Sequence, residues 1–315
     1  MSRIPCPAPK IDAMVREPLP TAVPAPIPLI HNPAARSEKS ARLHQLLERL
    51  EPAPRILATD GPGSARALAT GCAREGCPVV ACAGGDGTVN EVVAGLLDAH
   101  RQGLAMPVLG LMPVGTMNVF AFELGLPVRN LRQCWQAIVG GQTREVDLWM
   151  ANELPLVQLG GVGLDAAIVA ETTWDMKRKF GPLSYVVNAA RLLSRPPPRL
   201  QVTVDGQRLE GALALLGNGR HYGGVLKVFP GACQDDGLLD VLVLRKQTPG
   251  DMLGFLAALA TGGIGNFPGV WLGRGVAIDI TSATPVPVDL DGEAAGLTPL
   301  QIRPAGCRLG VRVAG

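Results

Sequence analysis

The apolar positions divide the chain into two textures. Between Pro28 and Gly141, short apolar runs alternate with segments whose apolar residues recur at helical spacing. The runs are Pro28–Ile30, Arg55–Ala58, Pro78–Ala83 and Pro107–Met112. Leu43, Leu46, Leu47 and Leu50, and then Val89, Val92, Val93, Leu96 and Leu97, each mark one face of a helix. Strands alternating with helices predict a parallel sheet covered on both faces, and such sheets bind ligands at the carboxyl ends of their strands.

From Glu145 onward the runs are shorter and rich in Val and Leu: Gln201–Val204, Ala212–Leu216, Leu238–Leu244, Val276–Ile280, Pro287–Leu290 and Leu309–Val313. Gly, Pro and Asp turns separate them, which predicts a mostly antiparallel sandwich or barrel. Two helical patterns interrupt it, near Leu183–Leu193 and Pro249–Ala260. The expected fold class is therefore α/β + β: a parallel α/β domain over residues 27–145, then a β-rich domain over 146–315. Residues 1–26 carry prolines at 5, 7, 9, 18, 20, 24 and 26, a density that predicts an extended tail with no apolar core of a signal peptide. No apolar run reaches the ~18–20 residues that cross a bilayer.

Composition narrows the function classes. Hydrophobic residues make up 47% of the chain, enough for a sizeable core. Aromatics at 4% and a formal net charge of +2 speak against a nucleic-acid partner. Seven cysteines with no CxxC pair suit a reducing cytoplasm. Cys72, Cys77 and Cys82 recur every five residues, but that spacing keeps no helical face and no His is near, so they read as small core residues and not as a zinc site.

The strongest chemical signal is Gly84-Gly85-Asp86-Gly87-Thr88-Val89-Asn90-Glu91, between the run Pro78–Ala83 and the helical stripe from Val89. A glycine turn at a helix N-terminus lets backbone approach a phosphate, and free N–H groups with the positive end of the helix dipole favour the anion. It is neither a Walker A loop nor GxGxxG. A bare glycine turn is often only structural; Asp and Thr at these places favour nucleotide phosphates. A second turn, Pro113-Val114-Gly115-Thr116-Met117-Asn118, follows the next strand. Adjacency in a parallel sheet would set it beside the first, although alone it reads equally as a plain strand–helix connection.

GGDGTVNEV, PVGTMN, DDGLLDV and DGE in this order resemble the diacylglycerol kinase catalytic-domain superfamily, in its soluble bacterial lipid-kinase branch. The resemblance runs from about Ile30 to the C-terminus. It implies an α/β nucleotide domain and a β-rich domain with the active site in the cleft, ATP and Mg²⁺ as cofactors, and a hydroxylated lipid as substrate. Residue by residue, it implies that Gly84, Gly85, Asp86, Gly87, Thr88, Val89 and Asn90 hold ATP phosphates, with Asp86 aimed at the metal and phosphates. Asn32, Thr59 and Thr116 match positions that contact nucleotide. Asp236 matches a magnesium-binding turn, where the carbonyls of Cys233 and Leu238 would join its carboxylate in an oxygen set suited to a hard cation. Glu293 matches the general base. Taken alone, D-G-E and D-D-G would read as exposed turns.

Two positions depart from the family pattern. Val119 stands where many members carry an Asp of a magnesium network, to which Asp147 and Asp236 would still contribute. Arg36 stands where Gly is usual in the first loop.

On the lipid side, Trp174, Lys177, Arg178, Lys179 and Phe180 cluster ahead of Leu183, Val186, Val187, Ala190 and Leu193. That segment either docks on an anionic leaflet or packs on its own domain. Phe255, Leu256, Leu259 and Ile264 line an acyl-chain entrance or the core. The turn Gly217–Gly224, with His221 and Tyr222, reads as cleft architecture. The expected protein is an ATP-dependent lipid kinase of the cytoplasm, peripheral at the inner membrane face, with transient membrane contact; a homodimer is compatible with this reading. Its rivals are a catalytically silent lipid- or nucleotide-binding protein and a kinase of a soluble substrate such as NAD.

Overall fold

The computed structural model describes residues 26–33, 43, 45–163, 166, 197–222, 224 and 226–315. The Trp174–Phe180 cluster, the Leu183–Leu193 helix, Arg36 and nearly all of the proline-rich segment lie outside these residues. In chain order the first lobe contains β1 (Pro28–His31), β2 (Arg55–Ala58), α1 (Ser64–Arg74), β3 (Val79–Gly84), α2 (Asp86–Arg101), β4 (Val108–Pro113), α3 (Val119–Glu123) and α4 (Leu131–Gly140). There follow β5 (Gln142–Ala151), β6 (Leu154–Leu156), β7 (Leu159–Val162), β8 (Leu200–Val204), β9 (Gln207–Gly211), β10 (Leu213–Gly217), β11 (His221–Tyr222), β12 (Leu226–Lys227) and β13 (Leu239–Leu244). The chain ends with α5 (Pro249–Ala260), β14 (Val270–Gly275), β15 (Ile278–Ser282), β16 (Pro287–Leu290), β17 (Glu293–Leu297) and β18 (Leu300–Val313).

The order β2-β1-β3-β4 is parallel throughout, and every residue of β1 and β3 is buried. Continuous burial follows from helices on both faces, which is why these strands are apolar without alternation. Side chains of β3 that point one way, Val80 and Cys82, meet Val92, Leu96 and Leu97 of α2; those that point the other way, Val79, Ala81 and Ala83, meet Leu43, Trp135 and Ile138. The α1–α2 contact is close because Gly95 has no Cβ: one added there would lie 2.2 Å from the Arg66 carbonyl oxygen. Thr70 Oγ1 donates to the Gly95 carbonyl at 2.9 Å, and Arg66 grips Asp98 through two hydrogen bonds of 2.5 and 2.8 Å. Burial pushes Cys72 and Cys82 thiols up to about 11 and about 12, so both are inert core residues.

The second lobe is a sandwich. One layer is the antiparallel sheet β14-β13-β10-β7-β16-β17; the other is β18-β15-β8-β9 with β5. Trp149, Val202, Ile278, Ile280 and Ile302 from one layer pack on Val162, Leu216, Val241, Val243 and Leu290 from the other. In β13, Leu242 and Leu244 face the opposite way and are covered by Met252 and Phe255 of α5. Phe255 and Ile264 therefore serve the core. Thr248 caps α5 reciprocally with Asp251, and Pro249 opens it. Among the described residues no helix is long and apolar enough to cross a membrane.

The lobes are less separate than the texture change suggests. β18 is 14 residues long, pairs in parallel with β4 at Val311↔Leu109, and pairs antiparallel with β5 and β15. One ten-stranded sheet thus runs through both lobes. The expected boundary at 145/146 falls inside β5, and the last strand returns to the first lobe. Only Leu309–Val313 of β18 was legible as a strand, because Pro304 and Gly306 interrupt it; the register with β5 shifts between Pro304 and Arg308, where Gly306 takes φ +80°. Pro and Gly break the strand pattern in sequence, and a bulge accommodates both.

Gly95→Val forces branched carbons onto the Arg66 carbonyl. We expect a loss of roughly 1–3 kcal/mol in urea unfolding with the parallel sheet retained by circular dichroism.

Candidate active site

The four loops expected to meet nucleotide lie at the carboxyl ends of adjacent parallel strands. Asn32 follows β1, and its backbone N–H donates to the Ala83 carbonyl at 3.2 Å. Thr59 follows β2 and is held by its N–H on the His31 carbonyl at 2.9 Å. Asn32 Nδ2 reaches Thr88 Oγ1 at 3.4 Å. Thr88 in turn covers Gly84, where an added Cβ would lie 2.4 Å from Thr88 Cβ. The two glycine turns touch: a Cβ on Gly115 would lie 2.3 Å from Gly85 Cα. The amides of Val114 and Gly115 donate to the Gly84 carbonyl, and Asn118, at φ 52°, closes the second turn through Oδ1 on Gly115 N and Nδ2 on Gly115 O. Thr116 is exposed at its tip. Helix α2 begins at Asp86, so its first-turn amides point to the end of the sheet without intrahelical acceptors.

Three members of the GGDGTVNE turn are engaged within the protein, Val89 as the helical stripe predicts and Asp86 and Asn90 in ways that the sequence did not show. Val89 is buried in the core and its N–H donates to the Gly85 carbonyl, so it belongs to the helix and offers a ligand nothing. Asp86 points its Oδ1 at the Phe120 N–H, 3.3 Å away, and so caps the short helix α3. Burial raises its carboxyl above the ordinary range, while the amides of Phe120, Val119 and Asn118 pull it back. Asp86 therefore ties the first turn to the second instead of aiming a free carboxylate at a metal. Asn90 donates through Nδ2 to Asp291 Oδ2 at 2.7 Å and to the Pro155 carbonyl at 3.0 Å, both in the other lobe.

Glu293 crosses the cleft. It opens β17, after a turn in which Asp291 and Gly292 both take positive φ, 52° and 83°. Two such residues make the hairpin turn that suits strand twist, and an Asp-Gly pair is the usual choice. Its carboxylate lies against Gly87: a Cβ there would stand 2.8 Å from Glu293 Oε1. Glu293 is exposed and available to a ligand. Asp291 is the opposite. It is buried, and its carboxylate accepts from the backbone N–H of Val157, Gln158 and Leu159 at 3.0, 2.8 and 3.0 Å, besides Asn90. Burial pushes its carboxyl up and these donors oppose that. The sequence carried no signal for this cradle, because its partners lie 132–134 residues upstream of Asp291.

A second bridge between the lobes was also missed. Glu123, at the end of α3, accepts from the His221 backbone N–H at 3.0 Å and lies 2.5 Å from its ring Nδ1. The Phe122 ring meets the His221 ring edge-on at 4.9 Å. The Gly217–Gly224 turn is thus fastened to the helix that leaves the second nucleotide turn. Val119 lies in the apolar cluster with Leu159, Leu215 and Phe229, a dry position with no place for a metal network.

The turn expected to hold magnesium is charge-compensated by the protein. Asp236 Oδ1 accepts from Leu238 N at 3.0 Å, and Oδ2 pairs with Arg274 at 3.1 Å. Arg274 also reaches Asp240 at 3.4 Å and the Gly231 carbonyl at 2.7 Å. Asp147 takes Gly237 N at 2.6 Å and Arg308 at 2.9 Å. The Cys233 thiol donates to Asp235 at 3.1 Å. A guanidinium occupies the cation's place beside Asp236, and no group of three or more His, Cys, Asp or Glu converges among the described residues. With Arg274 already on Asp236, the set Cys233, Asp236 and Leu238 does not fit a resident divalent ion.

A parallel α/β lobe with glycine turns at its strand ends is joined to a β-sandwich that presents a carboxylate to those turns, the two-lobed arrangement expected from the sequence. The sequence comparisons agree. Residues 26–151 match the diacylglycerol kinase catalytic domain, and residues 160–311 match the YegS C-terminal NAD kinase beta sandwich-like domain. Across both domains the chain is similar to the diacylglycerol kinase catalytic-domain superfamily. It is 27% identical over 278 residues to a diacylglycerol kinase of Bacillus subtilis (strain 168), covering 86% of this chain and 90% of that protein. It is 29% identical over 279 residues to a diacylglycerol kinase of Staphylococcus carnosus (strain TM300), covering 86% and 89%. A crystal structure from Bacillus anthracis (strain Sterne), assigned provisionally to the diacylglycerol kinases, superposes with a TM-score of 0.73 at 26% identity over 91% of this chain and 97% of that one. The family is one of kinases, which draw on ATP and a divalent cation.

Two outcomes follow from this geometry. Gly87→Ala displaces the Glu293 carboxylate while leaving the helix intact; kcat should fall ~10–100-fold with no loss of thermal stability. Burial raises the Asp240 carboxyl to about 6, with Arg274 opposing. Its unfolded value is about 3.9, so between pH ~4 and ~6 the folded chain holds the proton more tightly. Stability attributable to this group should therefore fall as pH rises through that window, by roughly 3 kcal/mol at most, and stay flat above it. Asp240→Asn should remove this pH dependence in urea unfolding curves.

Proposed function

We propose that this protein is an ATP-dependent lipid kinase that transfers the γ-phosphoryl group of Mg·ATP to a hydroxyl of diacylglycerol or a related lipid. The observation that carries the reading is the meeting of Glu293 with Gly87, which sets a free carboxylate from one lobe beside the phosphate turn of the other. Phosphoryl transfer is mostly positioning and charge stabilisation. The magnesium ion enters with the nucleotide, as part of the substrate. The triphosphate lies on the amides of α2 and against the turns at Gly84–Gly87 and Gly115–Thr116, with Asn32 and Thr59 at the flank. Glu293 orients the lipid hydroxyl and accepts its proton as the oxygen attacks the γ-phosphorus; the bond to the β-phosphate oxygen breaks and ADP leaves. Asp86 acts from behind, holding the second turn against the first.

An apolar rim supports a lipid acceptor. Met117, Phe122 and Leu226 are exposed at 52, 39 and 43%. They gather where the second nucleotide turn meets the Gly217–Gly224 turn: Phe122 on His221, Met117 beside Gly224, Leu226 paired with Tyr222. A lipid would approach over this rim during a transient contact with the membrane surface.

The test is a transfer assay with γ-labelled Mg·ATP and a panel of diacylglycerols, sphingoid bases and NAD. Label should enter a lipid, and Glu293→Gln should lower the rate ~10²–10⁴-fold. Asp86→Ala should also lower it, through displacement of the second turn. Label in NAD alone, or full activity of Glu293→Gln, would reject the reading.

A further inference from the structure

Asn90 sits in the phosphate turn by sequence, yet its side chain is directed elsewhere. We infer that Asn90 is a positioning residue for Glu293 and not a nucleotide ligand: through Asp291 it fixes the turn that carries the base onto the helix that begins at the phosphate site. The inference rests on the reading of Glu293 as the base.

The geometry is a matched pair of spacings. Gly87 and Asn90 are three residues apart on α2, on the same face and about 5 Å from one another along the helix surface. Asp291 and Glu293 are two residues apart across a tight turn. The turn lies along the helix so that Asp291 meets Asn90 at 2.7 Å while Glu293 meets Gly87. An amide nitrogen carries two protons, and Asn90 Nδ2 has two acceptors, Asp291 and the Pro155 carbonyl. Both proton donors of this side chain are therefore committed to the second lobe. Asp291 in turn has a further three donors, the successive amides of 157–159, so the turn has one seat. Base and phosphate site then ride on a single rigid helix, and a displacement of about 1 Å is enough to cost ~10²-fold in rate.

The experiment measures kcat, KM for ATP and direct ATP affinity for the full-length Asn90→Ala, Asn90→Asp and Asn90→Asp/Asp291→Asn proteins, with Glu293→Gln alongside. Asn90→Ala should lose ~10²-fold in kcat while KM and affinity for ATP stay within about twofold. Asn90→Asp sets two carboxylates together and should lose at least as much; the double variant restores one donor–acceptor pair with reversed polarity, but turns the new amide nitrogen toward the Val157 N–H and the new carboxylate toward the Pro155 carbonyl, so it should regain part of kcat, ~3–10-fold over Asn90→Asp. A general loss of folding would not be repaired in this way, so the swap also covers the case in which Asn90→Ala fails to fold. A raised KM and weakened ATP affinity with kcat retained would make Asn90 a nucleotide ligand and overturn the inference. So would unchanged kcat in Asn90→Ala, or no recovery in the double variant, when Glu293→Gln is inactive. Full activity of Glu293→Gln would instead remove the base reading, and the inference with it.

Discussion

A buried carboxylate holds this molecule in its working shape. Asp291 gives up water and receives three consecutive backbone amides and the Asn90 side chain in return. Hydrogen bonds to a charged group contribute about 1.5–3 kcal/mol each, and a buried carboxylate without partners is far costlier than any of them. The three amides belong to the same lobe as Asp291 and seat its turn within the sandwich, and Asn90 is the donor that reaches it from the first lobe. The amides therefore fix the turn, the Asn90 bond sets that turn against α2, and Glu293, two residues on, takes its place beside Gly87.

Other charged groups follow the same logic around the cleft. Helix α3 is only five residues long, yet it is held at both ends: Asp86 from the first turn caps its N-terminus, and Glu123 at its C-terminus takes the backbone and ring of His221 from the second lobe. The short helix joins the second glycine turn to the Gly217–Gly224 turn. Around the turn expected to call for a metal, Arg274 and Arg308 neutralise Asp236, Asp240 and Asp147. Arginine suits this role because its planar fork serves two acceptors at once.

Local patterns in the sequence were sound wherever structure is decided locally. The four parallel strands, the helix after GGDGT and α5 all occur where apolar runs and helical spacing predicted them. β18 escaped because Pro304 and Gly306 look like a loop, and only pairing with β5 makes that stretch a strand with a bulge. Asp86, Val89 and Asn90 were all read as phosphate contacts from one motif. Asp86 and Asn90 stand one turn apart along α2 and so meet different neighbours, while Val89 is turned about 100° from Asn90 into the core.

The sequence by itself determined the elements, the two glycine turns at strand ends and the kinship to a kinase superfamily, because each depends on residues close together along the chain. Tertiary structure alone decided which carboxylate stays free and which is consumed. Asp291 and Glu293 differ by two positions and share a turn, yet one is swallowed by amides from 157–159 and the other faces the phosphate turn. That division depends on the desolvation of each oxygen, which is set by chain segments far away in sequence and near only in space.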